Sequence, residues 1–392
     1  LEAILNSTDR GRNAIYNSNR MKLGIFGTNG RGGLFTTAPD AHKPTWEANL
    51  RAAKLADAAG FEALVAFARW KGFTEAAPDH PSGVVLDPFA WAAAIAQATS
   101  YSTVFATTHA PTIHPIVVAK QCATIDIISG GRFGLNVVGG WNRPEFDMFG
   151  SALAAHDKRY EHLEEWLEVL ERLWTEKEEF DHQGEFLKLK GAVSRPQPLQ
   201  KPMPPIMNAG GSARGQRFAC EHADMCFVSL QGEDHAAWQR QIDSYKAMAR
   251  EEYGRDISVW TVGGVVQRAT RQDAEAYLHY YAVEHEDKVA VQAFTDRVSA
   301  ESHGSTPAQL MRARHRIAAA GGGQLLVGTA QDVAEGLEAL SDIGIDGCLL
   351  VWNNFADGLE RFSEVMPLLE ARGLRNPFKA TSTVDSSASS AA

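Results

Sequence analysis

Lys22-Leu23-Gly24-Ile25-Phe26 runs directly into Gly27-Thr28-Asn29-Gly30-Arg31-Gly32-Gly33, and these two segments decide between two α/β architectures. An apolar strand followed by glycines is how a doubly wound nucleotide-binding sheet opens. Here the spacing is not GxGxxG, and no ribose-binding acid follows about twenty residues on in a second strand. The alternative is an α/β fold closed as a (β/α)8 TIM barrel, in which a glycine-rich turn after the first strand is one of eight loops at the barrel mouth.

Outward from that segment the chain alternates short apolar runs with amphipathic helices. Strands are expected at Lys22–Phe26, Ala63–Phe67, Thr103–Thr107, Arg132–Val138, Pro205–Asn208, Met225–Val228, Ser258–Val266 and Gly347–Trp352. Several are apolar on consecutive positions, as strands covered on both faces are. Helices are expected over Trp46–Ala59, with Leu50, Ala53, Leu55 and Ala56 as the buried stripe, and over Pro115–Ser129, His156–Trp174, Ser212–Cys220, Asp234–Tyr253 and Asp357–Ala371. Eight such units need roughly 250 residues, and insertions carry the fold past that. The 392 residues therefore fit one barrel over 21–376. The surplus falls in Trp141–Ala155, Lys177–Pro204 and Glu284–Gly323, the last with a composition that suits a mobile lid. Residues 1–20 are expected to form an arm, loose or laid on a neighbouring subunit, and 380–392 a polar disordered tail.

Hydrophobic residues make up 44% and charged residues 22%, which excludes wholesale disorder. A net charge of −10 argues against nucleic-acid or anionic-membrane binding, and no apolar run approaches a membrane span. The four cysteines lack metal spacing and suit small buried side chains in a reducing, cytoplasmic setting. Hydrolase, zinc and nucleoside-triphosphate motifs are absent, so an organic cofactor is expected to carry the difficult chemistry.

In a barrel, chemistry gathers where strands end. The fifth strand ends in Asn208-Ala209-Gly210-Gly211-Ser212-Ala213-Arg214-Gly215. A glycine pair, a hydroxyl at the cap position and free helix N–H groups make an anion site, or equally an ordinary capped helix. Arg214 adds charge there. Arg159 and Tyr160 open a long helix, where they suit either a phosphate clamp or a solvated helix start. Trp141–Phe146 mixes aromatic and polar residues just past a strand, a place for a ligand. His109, a single histidine at the mouth, is expected to be merely hydrogen-bonded.

The ordered blocks Ala123-Thr124-Ile125-Asp126, Ser129–Val138, Gly140-Trp141, Pro144-Glu145, His156–Tyr160, Gly184-Glu185-Phe186, Pro196-Gln197-Pro198 and Asn208–Ser212 resemble the luciferase-like flavin-dependent monooxygenases. The pyrimidine, dimethylsulfone and alkanesulfonate branches lie nearest, and the likeness spans about Met21 to Leu374. It implies a bacterial-luciferase-like TIM barrel, reduced FMN and O₂ as co-substrates, and a separate NAD(P)H:flavin reductase. It also implies a homodimer or homotetramer. Position by position it implies FMN contacts at Ala68, Arg69, Asn136 and Glu145, and phosphate contacts at Arg159, Tyr160, Gly211 and Ser212. Thr107 and Asn136 are implied at the flavin edge where oxygen is held. Ala68-Arg69 replaces an Ile-Lys pair of the pyrimidine branch, so the cofactor carries over better than the substrate. Heterocyclic amides, sulfones or sulfonates, and flavin-like rings all remain open. A flavin-storage protein and a deazaflavin-dependent hydride-transfer enzyme are the alternatives.

Overall fold

In the computed structural model, residues 13–74, 77–151, 153–301 and 313–378 are described. The strands are β1 (Lys22–Phe26), β2 (Ala63–Val65), β3 (Thr103–His109), β4 (Phe133–Val138), β5 (Phe180–Gln183), β6 (Lys188–Ala192), β7 (Ile206–Asn208), β8 (Met225–Phe227), β9 (Ser258–Gln267), β10 (Gln324–Gly328) and β11 (Gly347–Val351). Eight of them close a parallel barrel in the order β1-β2-β3-β4-β7-β8-β9-β11, with β11 returning to β1. The register Thr107↔Asn136 brings the ends of β3 and β4 side by side. A ninth strand, β10, pairs with the far half of β9 beyond β8.

The helices that bear on the site are α1 (Trp46–Ala58), α2 (Pro88–Ala98), α3 (Pro115–Ser129), α4 (Arg143–Met148), α5 (His156–Thr175), α6 (Ala213–His222), α7 (His235–Tyr253), α8 (Arg271–His279), α9 (Lys288–Glu301) and α10 (Arg314–Ala320). On α1 the buried stripe is Asn49, Ala52, Ala53, Ala56 and Asp57, while Leu50 and Leu55 are half-exposed, contrary to the sequence expectation. Two polar groups set that rotation. Asn49 accepts the Trp91 indole N–H at 2.7 Å, and Asp57 accepts the amides of Ser100, Tyr101 and Ser102 that lead into β3. On α5 the stripe Leu163, Trp166, Leu167, Val169 and Leu170 is buried as its spacing predicts.

Alternation along the strands separates two cores. Ala63, Val65, Phe105, Met207, Met225, Trp260 and Leu349 fill the barrel interior, and outward-facing residues such as Val104 and Ala106 pack under the helices. Gly134 and Gly347 leave room for the Phe105 and Trp260 rings, which a Cβ would enter.

The arm expected over residues 1–20 is not free from Asn13 onward. Asn13 pairs with Thr103 and with Gln200, and Ile15 is 4% exposed within the interior core. The chain plugs its own barrel floor because Ile15 meets apolar partners there. Residues 1–12 and the tail 380–392 lie outside the described residues. The surplus segments carry secondary structure of their own. Lys177–Pro204 contains the antiparallel hairpin β5–β6, and Glu284–Gly323 contains α9 and α10. The polar centre of that insertion, 302–312, where mobility was expected, lies outside the described residues.

Candidate active site

The glycine-rich turn after β1 serves packing. Asn29 bonds the Phe67 amide and carbonyl and the Leu86 carbonyl, and Gly27 and Gly30 give space to the Phe67 ring. Gly27 takes φ +73° and Gly32 +64°, conformations that favour glycine. This turn thus walls one side of a cavity of about 580 Å³ at the C-terminal ends of the strands.

All the residues expected to hold cofactor or oxygen line this one cavity: Ala68, Arg69, Thr107, Asn136, Glu145, Arg159, Tyr160, Gly211 and Ser212. They come from six separate segments, 144 positions apart at the extremes (212 − 68).

At one end, Asn208 shapes the turn into α6 by bonding the Val137 carbonyl and the Gly210 amide at 2.7 and 2.8 Å. Tyr245 donates to the Gly210 carbonyl at 2.6 Å. A Cβ on Gly210 would press on the Gly215 backbone, whereas one on Gly211 would stand in open space. Ser212 caps α6, its Oγ accepting from the Gly215 amide at 3.0 Å. The cap leaves neighbouring helix N–H groups and the positive dipole end beside the cavity that Gly211 and Ser212 line. Tyr160 shares a hydrogen bond with Ser212, and burial raises its pKa against that bond and the nearby arginines, so the phenol stays a neutral donor. Arg159 is 8% exposed and donates to the Gly140 carbonyl at 2.6 Å. Arg214 does not join them: Glu164 holds it at 2.6 Å on the outer side, and Coulomb attraction to that near carboxylate decides its direction.

At the centre, Thr107 Oγ1 donates to the Ala66 carbonyl at 2.6 Å and accepts from Asn136 Nδ2 at 3.0 Å. The Thr107 proton is thus committed to the backbone. Asn136 Oδ1 is buried with no hydrogen-bond partner among the described residues. A buried amide oxygen left over in a cavity wall is costly unless a ligand donor meets it.

Glu145, 1% exposed, is tied more to the protein than the sequence suggested. Oε1 accepts from the Trp70 and Lys71 amides at 2.9 and 3.2 Å, and Oε2 lies 3.3 Å from His109 Nδ1. Burial would raise its pKa, yet His109, the Trp70 amide and Asn142 outweigh that and hold it below the usual carboxylate range. The ionised carboxylate positions the Ala68–Phe73 loop and a histidine together. Arg69 in that loop rests on the Phe67 and Phe73 rings, 4.7 and 4.2 Å from their centroids, and donates to the Ser82 carbonyl. Enclosure pushes its guanidinium down to about 10, so it remains a cation at neutrality.

The insertion supplies the roof, which the sequence did not reveal. Phe294 of α9 meets Phe35, Phe73 and Trp141 at 5.1, 5.3 and 5.9 Å. Arg297 donates to Asn142 Oδ1 and to the Gly72 and Phe73 carbonyls. Phe294 and Val298 belong to a polar-looking insertion, and no local pattern marks them as cavity residues. His109 was legible as a mouth histidine, but its partner Glu145 lies 36 positions on (145 − 109).

The chain is similar in sequence and fold to known proteins. The luciferase-like monooxygenase family model matches residues 21–347. Pyrimidine monooxygenase RutA of Enterobacter sp. (strain 638) is 32% identical over 363 residues, covering 90% of this chain and 97% of that protein. Among solved structures, long-chain alkane monooxygenase (LadA) superposes with a TM-score of 0.79 at 23% identity, covering 93% of this chain and 94% of that one. Riboflavin lyase (RcaE), solved with modified FMN and riboflavin, gives 0.77 at 22%, covering 90% and 92%. These two share the fold, while the family model and the 32% identical relative identify the lineage. The chain belongs to the luciferase-like monooxygenase family.

Proposed function

We infer that the protein is the oxygenating component of a two-component system, receiving reduced FMN from a separate flavin reductase and using O₂ to oxygenate a small organic substrate. The observation that carries this is the convergence of an anion cradle, an unpartnered amide oxygen and an aromatic roof on one cavity.

The residues fit FMN. Arg159, Tyr160 and the α6 N-terminus around Gly211 and Ser212 suit the phosphate by charge and by donor count. Asn136 Oδ1 suits a ring N–H, and Ala68 and Arg69 form the wall beside it. Bound there, reduced FMN would supply the electrons that activate dioxygen. The protein's own share is positioning and water exclusion. Thr107, locked onto the Ala66 carbonyl, fixes the Asn136 amide so that its oxygen points to the ligand. Glu145 holds the Ala68–Phe73 loop, and Arg297 ties that loop under α9, whose Phe294 closes the apolar side. A closed apolar roof keeps water from the reacting centre. The relative's pyrimidine substrate makes uracil the first compound to test. Because Arg69 and His109 line this cavity, sulfones, sulfonates and flavin-like rings belong in the same panel.

The test mixes the protein with photoreduced FMN, oxygen and each compound, and measures product formed per flavin oxidised. Oxygenated product with at least one compound is expected. Reduced FMN that oxidises at its free-solution rate with every compound would remove the monooxygenase assignment.

A further inference from the structure

β3 presents Phe105, Thr107 and His109 on one face, since alternate residues share a face. Phe105 lies in the interior core, and Thr107 and His109 line the cavity above it. His109 therefore stands one step nearer the mouth than the Thr107–Asn136 pair. Its Nδ1 lies 3.3 Å from Glu145 Oε2, within ion-pair reach although neither atom completes a hydrogen bond among the described residues, and Nε2 has no hydrogen bond among them either. A carboxylate against Nδ1 selects the tautomer with hydrogen there and leaves Nε2 as an oriented base, which becomes an oriented acid on protonation. Glu145 is itself pinned by the Trp70 and Lys71 amides, so the imidazole has a fixed partner.

The chemistry assigned above needs such a group. Anionic reduced FMN carries one proton to the two that leave on oxygen. The balance is FMNH⁻ + O₂ + H⁺ → FMN + H₂O₂ without substrate, and FMNH⁻ + O₂ + H⁺ + S → FMN + SO + H₂O with it. One proton per turnover must come from outside the flavin. Histidine is the side-chain type whose charge changes near neutrality. Among the described lining residues, His109 and His156 are of that type. His156 sits at the start of α5, 3.1 Å from Asp157 and against Tyr160, at the phosphate end.

The geometry points to the His109–Glu145 pair as the proton donor of the oxygen reaction, an inference that rests on the FMN assignment. In each turnover the imidazolium Nε2–H gives its proton to the reducing oxygen, the N–H electron pair stays on nitrogen, and solvent reprotonates the ring. Glu145 on α4 stabilises the cation. Arg69 after β2 interacts electrostatically with Glu145, and Arg297 on α9 with Arg69.

Two measurements test it. In the cofactor-free protein, side-chain nitrogen NMR of His109, assigned by its loss in His109→Gln, should show hydrogen on Nδ1 in the neutral ring. Glu145→Gln should move the ring toward Nε2–H. Hydrogen on Nε2 in the parent protein would overturn the pair. In stopped flow, photoreduced FMN bound to the parent is mixed with oxygen across the neutral pH range. The oxidation rate should show one titration step, and His109→Gln should abolish that step and slow the reaction on the order of 10²-fold. FMN affinity should stay within about threefold, because binding common to all states is untouched. If His109→Gln binds FMN and keeps the same pH step, His109 does not supply the proton. If the parent binds no reduced FMN, the cofactor assignment and this role fall together, and the tautomer measurement still decides whether the pair exists.

Discussion

The two ends of the barrel use the same ingredients for opposite purposes. At the floor, Glu62 is fully buried and both its oxygens are taken, by the Asn17 and Asn19 amides, the Leu23 N–H and both terminal nitrogens of Arg375. Arg375 also bonds the carbonyls of Met21 and Gly60. The chain closes this network with its own N- and C-terminal segments. At the mouth, Asn136 Oδ1 is left over and Arg69 leans on aromatic rings with a single carbonyl as hydrogen-bond acceptor. Buried polarity at the floor holds the barrel shut. At the mouth it faces a cavity and is left without a full set of partners among the described residues.

The comparison breaks most visibly at the floor. Glu62→Ala leaves a buried arginine without its carboxylate and should cost about 3–5 kcal/mol of stability, read by urea unfolding. At the mouth, Arg159→Ala should cost less stability than Glu62→Ala, the protein staying folded, and weaken FMN binding by about 1.5–3 kcal/mol, the range for a hydrogen bond to a charged group. Equal FMN affinity in the two proteins would make Arg159 a packing residue. Thr107→Val tests both ends of the idea at once. Losing the bond to the Ala66 carbonyl and stranding Asn136 Nδ2 should cost about 1–2 kcal/mol. Releasing the Asn136 amide should lower product per flavin oxidised and raise hydrogen peroxide. A stability loss with unchanged coupling would restrict Thr107 to the backbone.

The smallest effect is a pH dependence. The Glu145 carboxyl titrates lower in the folded protein than in the unfolded chain. Its stabilisation is thus complete above the ordinary carboxylate range and is lost as pH falls through the lowered value. The stability gap between the parent and Glu145→Gln should therefore narrow on acidification. A gap that stays constant from neutral to acid would mean that the His109 and backbone bonds do not favour the charged form.

Local pattern was enough for the barrel. All eight barrel strands begin and end within two residues of expectation, because apolar runs such as Cys348–Val351 have no other place than between two helix layers. The pattern failed where meaning is non-local. Gln324–Gly328 forms β10 because the outer half of β9 has an edge to pair with, and the sequence beside it reads as the end of a glycine-rich loop. Leu50 and Leu55 stay only partly buried because Asn49 and Asp57 have buried partners some forty residues away. In the site, the capped turn into α6 was legible as a contiguous turn and helix start. Phe294 and Arg297 were not, since an insertion's register against the mouth depends on contacts with Phe73 and Gly72. His109 acquired significance only through Glu145.

The most direct test of the mouth as a flavin site is an anaerobic titration of the protein with photoreduced FMN, run beside the reduced deazaflavin cofactor and repeated with Arg159→Ala. One FMN should bind per chain, more tightly than the deazaflavin, with affinity falling in the variant. Saturable binding that prefers the deazaflavin, or no saturable binding of FMN, would contradict it.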